Sequence, residues 1–147
     1  MIKKLVLIAS LMGVFASAQA LEVGINDGTN LSSTQNVWGV TVGETVHGYN
    51  LTAGFNRSTT ADSYSLVNAV EVAKMGPVSV DAKFGAVFID SQSGSAYDGY
   101  AAVVGIGARM PITKSVSAGL DYSYQAGQDR VVAENGSRIT AGVKFSF

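Results

Sequence analysis

The sequence predicts an all-β fold, an eight-stranded antiparallel up-and-down transmembrane β-barrel. Three observations predict it. From Leu21 onward, apolar residues alternate with polar residues or glycine, the period of a strand with two unlike faces. The connections alternate between short and long, as hairpins around a barrel do. The composition is poor in charge, 14% against about 25% for a soluble domain, at a mean hydropathy of +0.24. Yet no segment beyond the N-terminus is apolar for the roughly 20 residues a spanning helix needs, so membrane residence has to come from strands.

Residues 1–20 read as a secretory signal peptide, with Lys3 and Lys4 ahead of an apolar run from Leu5 to Ala16 and an Ala18-Gln19-Ala20 cleavage site. The mature domain is then 21–147. Removing Lys3 and Lys4 leaves eight basic residues against eleven acidic ones, a net charge of −3. Such a chain has no electrostatic footprint for nucleic acid. The 147 residues hold no cysteine, which excludes disulfides, thiolate metal sites and cysteine nucleophiles, and leave room for one domain.

The strands follow in order. Leu21, Val23 and Ile25 oppose Glu22, Gly24 and Asn26; Trp38, Val40 and Val42 oppose Gly39, Thr41 and Gly43. Tyr49, Leu51, Ala53 and Phe55 oppose Gly48, Asn50, Thr52 and Gly54. The fourth strand is less regular: Asn68 interrupts its oily face of Tyr64, Leu66, Val70 and Val72, opposite Val67, Ala69 and Glu71. The fifth sets Val78, Val80, Ala82, Phe84, Ala86 and Phe88 against Ser79, Asp81, Lys83 and Gly85. Tyr100, Ala102, Val104, Ile106 and Ala108 oppose Gly105, Gly107 and Arg109 in the sixth. The seventh opposes Val116, Ala118, Leu120, Tyr122 and Tyr124 to Ser115, Ser117, Gly119, Asp121 and Ser123. The last carries Ile139, Ala141, Val143, Phe145 and Phe147 on one face and Arg138, Thr140, Gly142, Lys144 and Ser146 on the other.

Tight turns are expected at Glu44-Thr45, Met75-Gly76-Pro77 and Pro111 to Lys114, and longer loops at Asp27 to Thr34, Arg57 to Asp62, Ser91 to Asp98 and Ala126 to Gly136. Short periplasmic turns and longer outer loops are the layout of an outer-membrane barrel with both termini periplasmic. The oily face is assigned outward, because the interior of an eight-stranded barrel is filled by few side chains and the small Gly, Ser and Thr set fits there. A lipocalin-like barrel would turn that face inward. The aromatics also sort by height, with Trp38, Phe55, Tyr64, Phe88, Tyr100, Tyr122 and Tyr124 towards the loops and Tyr49, Phe145 and Phe147 towards the turns. Two girdles flanking an aliphatic band are what a bilayer interface favours.

The eight strands, the signal peptide and the ending Ala141-Gly142-Val143-Lys144-Phe145-Ser146-Phe147 resemble the small OmpA/OmpX-type outer-membrane barrels. The resemblance implies a Gram-negative-type envelope, contact with outer-membrane lipid and lipopolysaccharide, and a C-terminus with Phe145 and Phe147 read by the barrel-assembly machinery. It transfers no activity. The loops are short and the chain stops at Phe147, which sets long-loop adhesion and peptidoglycan anchoring apart from the expected role.

By parity, Glu22, Glu71, Asp81, Lys83, Arg109, Asp121, Arg138 and Lys144 point into the lumen, four acidic and four basic. This is expected to be an ionic core that neutralises itself, with Glu71 and Arg109 near Asp81 and Glu22 near Lys144; the alternative is a gate. Inward Gly39, Gly43, Gly48, Gly54, Gly105 and Gly107 thin the filling. No catalytic residue, metal site or cofactor is expected. The single histidine, His47, stands beside a turn and reads as an interfacial residue. The loop acids Asp27, Asp62, Asp90, Asp98, Asp129 and Glu134, with Arg57 and Arg130, read as a solvated rim without the spacing of a calcium loop. Tyr97 reads as a loop residue. The expected function is non-enzymatic, structural or surface-interacting, in a monomer. A small gated pore is the alternative, and a lipid-modifying enzyme a third reading.

Overall fold

The computed structural model of the chain describes residues 21–46, 49–92, 98–127 and 135–147. The expected signal peptide, His47, Tyr97, Asp129, Arg130 and Glu134 lie outside the described residues. Eight strands run in sequence order: β1 (Leu21–Asn30), β2 (Gln35–Val46), β3 (Tyr49–Arg57), β4 (Ala61–Met75), β5 (Val78–Ser91), β6 (Gly99–Pro111), β7 (Val116–Gly127) and β8 (Gly136–Ser146). Each pairs antiparallel with its neighbour, and β1 closes on β8 with Glu22 opposite Ser146 and Asn30 opposite Arg138. Closure removes every free sheet edge, so each strand finds its backbone partners within the wall.

The alternation places side chains as the sequence predicts. Outward Ile106 and Leu120 are 51% and 56% exposed, while inward Gln125 and Arg138 are each 4% exposed. Large apolar groups cover the outside and polar ones fill the inside, the inverse of a water-soluble core. Several outward aromatics form a cross-strand row, with Phe55 opposite Tyr64, Tyr64 opposite Phe88 and Phe88 opposite Tyr100. Phe55 also meets Trp38 edge-on at 6.2 Å between ring centroids. Tyr64 is buried, since the Phe55 ring packs on it at 5.4 Å between centroids.

Several boundaries differ from the sequence-based expectation. Glu44 and Thr45 are paired strand residues, opposite Leu51 and Asn50, and β2 continues to Val46. Asp27, Asp62 and Asp90 also belong to strands rather than loops, because pairing continues to the rims: Asp27 faces Trp38 and Ala141, and Asp62 faces Arg57 and Asp90. Asp62 is buried and accepts two hydrogen bonds from Arg57, at 2.7 and 2.9 Å. The first loop shortens to four residues, Leu31 to Thr34, where the Asn30 Oδ1 accepts from the amides of Ser32 and Ser33. That side chain supplies a local turn.

β4 carries a bulge between Glu71 and Ala73. The extra residue flips the phase of the strand's last turn-side residues, so Lys74 rather than Ala73 pairs with inward Ser79. At the next turn Gly76 has φ +58° with open space around its missing Cβ, so the position selects glycine by backbone conformation.

Candidate functional site: the lumen

The lumen divides into two levels. In the turn-side half, Glu22 is the centre of a charge network. Its Oε2 accepts a hydrogen bond from Asn50 Nδ2 at 2.9 Å and lies 3.6 Å from Lys144 Nζ, and its Oε1 lies 3.8 Å from Arg109 Nη1. Arg109 reaches from β6 both to Glu22 on β1 and to Asp81 on β5, 4.0 Å away. A second pair joins Lys83 to Asp121. It passes over Gly107, where an added Cβ would run into both side chains. Glycine there leaves the space in which the pair closes.

Six of the eight expected lumen charges therefore come together: Glu22, Asp81, Lys83, Arg109, Asp121 and Lys144. Glu71 does not. It is opposite Asp81 in register but exposed beside the bulge, and among the described residues it makes no ion pair within 4.0 Å. Arg138 is buried higher in the barrel, level with Asn30 and Ser123. Asn50 is a member that charge counting passes over, held in turn by Thr52 at 2.8 Å and Thr45 at 3.0 Å.

The loop-side half is different. On its β4–β6 wall Ala61, Val87, Ile89, Ala101 and Val103 are buried together, backed by Val67, and Val37 is buried on β2. The facing wall is polar, with buried Asn30, Asn56, Gln125 and Arg138. The signal for the apolar plug is the run Ala86-Val87-Phe88-Ile89 and the run Tyr100 to Val104, apolar on both parities as in strands buried on both faces. Between plug and ionic network lies a cavity of about 160 Å3, bordered by Asn26, Thr41, Thr52, Ser123 and Thr140 among others. A second void of about 250 Å3 opens at the turn end, bordered by Lys74, Ser79, Arg109 and Lys114. Arg109 and Ser117 border both.

Comparison with known proteins places this architecture. The N-terminal β-barrel domain of Pseudomonas aeruginosa OprF is similar at a TM-score of 0.70, with 15% identity, over 88% of this chain and 98% of that one. The fold is that of a small outer-membrane β-barrel. Neisserial surface protein A is similar at a TM-score of 0.57 and 14% identity, over 87% of this chain and 95% of its own. A de novo designed transmembrane β-barrel matches at 0.62 with 12% identity, over 89% of this chain and 98% of its own. No protein-family model and no curated protein matches the sequence. Likeness of fold does not by itself specify an activity.

Of the remaining residues singled out by sequence, Tyr49, Tyr100, Tyr122 and Tyr124 are exposed on the outer face. Phe88 packs on Tyr100 at 5.0 Å between centroids, and Phe145 and Phe147 stand outward at the turn end. The backbone of Phe147 donates to Leu21 at 3.0 Å, tying the last residue to the first strand.

Proposed function

We propose that this chain is a non-enzymatic outer-membrane barrel with a structural or surface-interaction role, its lumen closed to ions and its termini in the periplasm. The observation that carries the reading is the two-level filling of the lumen. The apolar plug around Ile89 and Val87 occupies one side of the loop half, and the network of Glu22, Arg109, Lys144 and Asp81 crosses the turn half. An ion travelling the axis would have to shed hydration at the plug and displace paired charges below it. The outward aromatics and aliphatics support contact with outer-membrane lipid and lipopolysaccharide, and the terminal Phe145 and Phe147 support recognition by the barrel-assembly machinery. A monomer is consistent with an exterior on which, among the described residues, Asn68 is the one mid-face amide.

A second reading, a small gated pore, has one observation in its favour: Arg109 holds its two carboxylates only at 3.8 and 4.0 Å, loosely enough to exchange partners. Single-channel recording in planar bilayers separates the two. The closed barrel predicts a silent wild type and a silent Arg109→Ala variant; discrete openings that change with Arg109→Ala would replace it with the pore. The lipid-modifying reading requires an acyl-transfer activity that vanishes in His47→Ala.

A further inference from the structure

The turn-side void carries a charge excess that the lumen network does not use. Within the network Glu22, Asp81 and Asp121 balance Lys83, Arg109 and Lys144. Lys74 and Lys114 border the void in addition, and among the described residues neither has a carboxylate within 4.0 Å. Lys74 is there because of the bulge: without the inserted residue its place opposite Ser79 would fall to an apolar side chain. The acid bordering the void is Glu22, already engaged by Lys144, Arg109 and Asn50. Glu71, three residues before Lys74, lies outside the lining.

Arg109 supplies the second observation. A guanidinium has five N–H donors in a planar fork suited to two oxygens of one anion. Yet among the described residues Arg109 donates no hydrogen bond to protein; its contacts with Glu22 and Asp81 are 3.8 and 4.0 Å long. Arg109 borders an open void of about 250 Å3 whose lining also includes Ser79, Thr113, Ser117 and Ser146. Taking about 30 Å3 per water in the liquid, that is room for roughly eight waters, or a phosphate group with part of its hydration.

We propose that this vestibule is an oxyanion site, in which the Arg109 guanidinium and the ammonium groups of Lys74 and Lys114 hold a phosphate group. Arg109 forms the floor through charge-assisted hydrogen bonds, the two lysines neutralise the remaining charge from the rim, and the hydroxyls complete the shell. The phosphate comes either from a free anion or from a lipid headgroup at the bilayer surface beside the mouth. The proposal rests on the membrane-barrel reading only for the compartment the mouth faces.

The test is an NMR titration of the protein purified from membranes in a nonionic, phosphate-free detergent, with inorganic phosphate at constant ionic strength and chloride as control. The same amides are then compared in nanodiscs of phosphatidylglycerol and of a phosphate-free galactolipid. Saturable shifts at Ser79, Thr113, Ser117 and Ser146 in detergent, weakened about tenfold or more in the Lys74→Gln/Lys114→Gln variant, support a free anion as ligand. Shifts between the two nanodiscs that the variant abolishes, without a response in detergent, support the lipid phosphate. Both lysines are exposed, and an unchanged heat-dependent gel mobility checks that the variant keeps its barrel. No response in either arm, or a response the variant leaves intact, overturns the proposal. Ion conduction by the wild type would overturn the closed-barrel reading and leave this outcome untouched.

Discussion

Glu22 holds one end of three side-chain interactions at once, with Asn50, Arg109 and Lys144 around it, and Asp81 shares the Arg109 guanidinium. Its side chain is only 15% exposed, so truncation leaves Lys144 without its carboxylate and Arg109 with Asp81 alone. Glu22→Ala is expected to lower stability by about 3–5 kcal/mol, the usual cost of unpairing a buried charge. Glu22→Gln keeps an acceptor for Asn50 and should cost less; urea unfolding in detergent, followed by gel mobility, measures the difference. An equal loss in both variants would show that the amide contact contributes nothing. Gly76 tests a different cause. With φ +58° and no atom within 4 Å of its would-be Cβ, Gly76→Ala should cost about 1–2 kcal/mol through backbone conformation alone. Gly76→Asn, which tolerates that region, should cost less in the same assay.

At the scale of the strand, the two faces of the barrel wall give opposite predictions. Ile89 on β5 faces inward and is fully buried, whereas Ile106 on β6 faces outward and is 51% exposed. Ile89→Ala is expected to destabilise by about 2–5 kcal/mol through the lost contacts and the cavity left in the plug. Ile106→Ala should cost much less, but Ile106→Arg should cost about 2–4 kcal/mol in lipid vesicles if that row lies near the bilayer midplane. Reversed results at the two isoleucines would invert the barrel. Alternation made the faces legible in sequence because parity is fixed by the strand's period of two. It failed where the period breaks. The bulge beside Glu71 shifts the phase by one residue and leaves that carboxylate exposed, and no turn residue marks the insertion. The rims are not legible in sequence because Asp27, Asp62 and Glu44 carry loop-like composition, while the ladder continues through them by backbone pairing.

Across the whole molecule, eight strands, closure of β1 on β8 and an apolar exterior were readable from alternation and connection length, since those features are set by many residues at once. The charge network was readable in its membership but not in its division from a separate apolar plug, because which inward residues meet across the lumen depends on strand stagger. Asn50 likewise joins through geometry rather than residue type, its amide reaching Glu22 across the gap left by β2. The vestibule with Lys74 and Lys114 required the bulge to be seen. What unites these levels is an apolar exterior around an interior network of paired charges.

The chain's one tryptophan tests that exterior directly. Trp38 stands outward on β2 near the loop end, 50% exposed, with its ring against Phe55. In vesicles of lipids brominated at defined acyl positions, its fluorescence should be quenched strongly, and more by bromines near the headgroup than by bromines at the chain ends. Quenching by an aqueous quencher such as iodide should be weak. Unquenched emission in every brominated lipid, with full access to iodide, would contradict a lipid-facing exterior and with it the account of this chain as a membrane barrel.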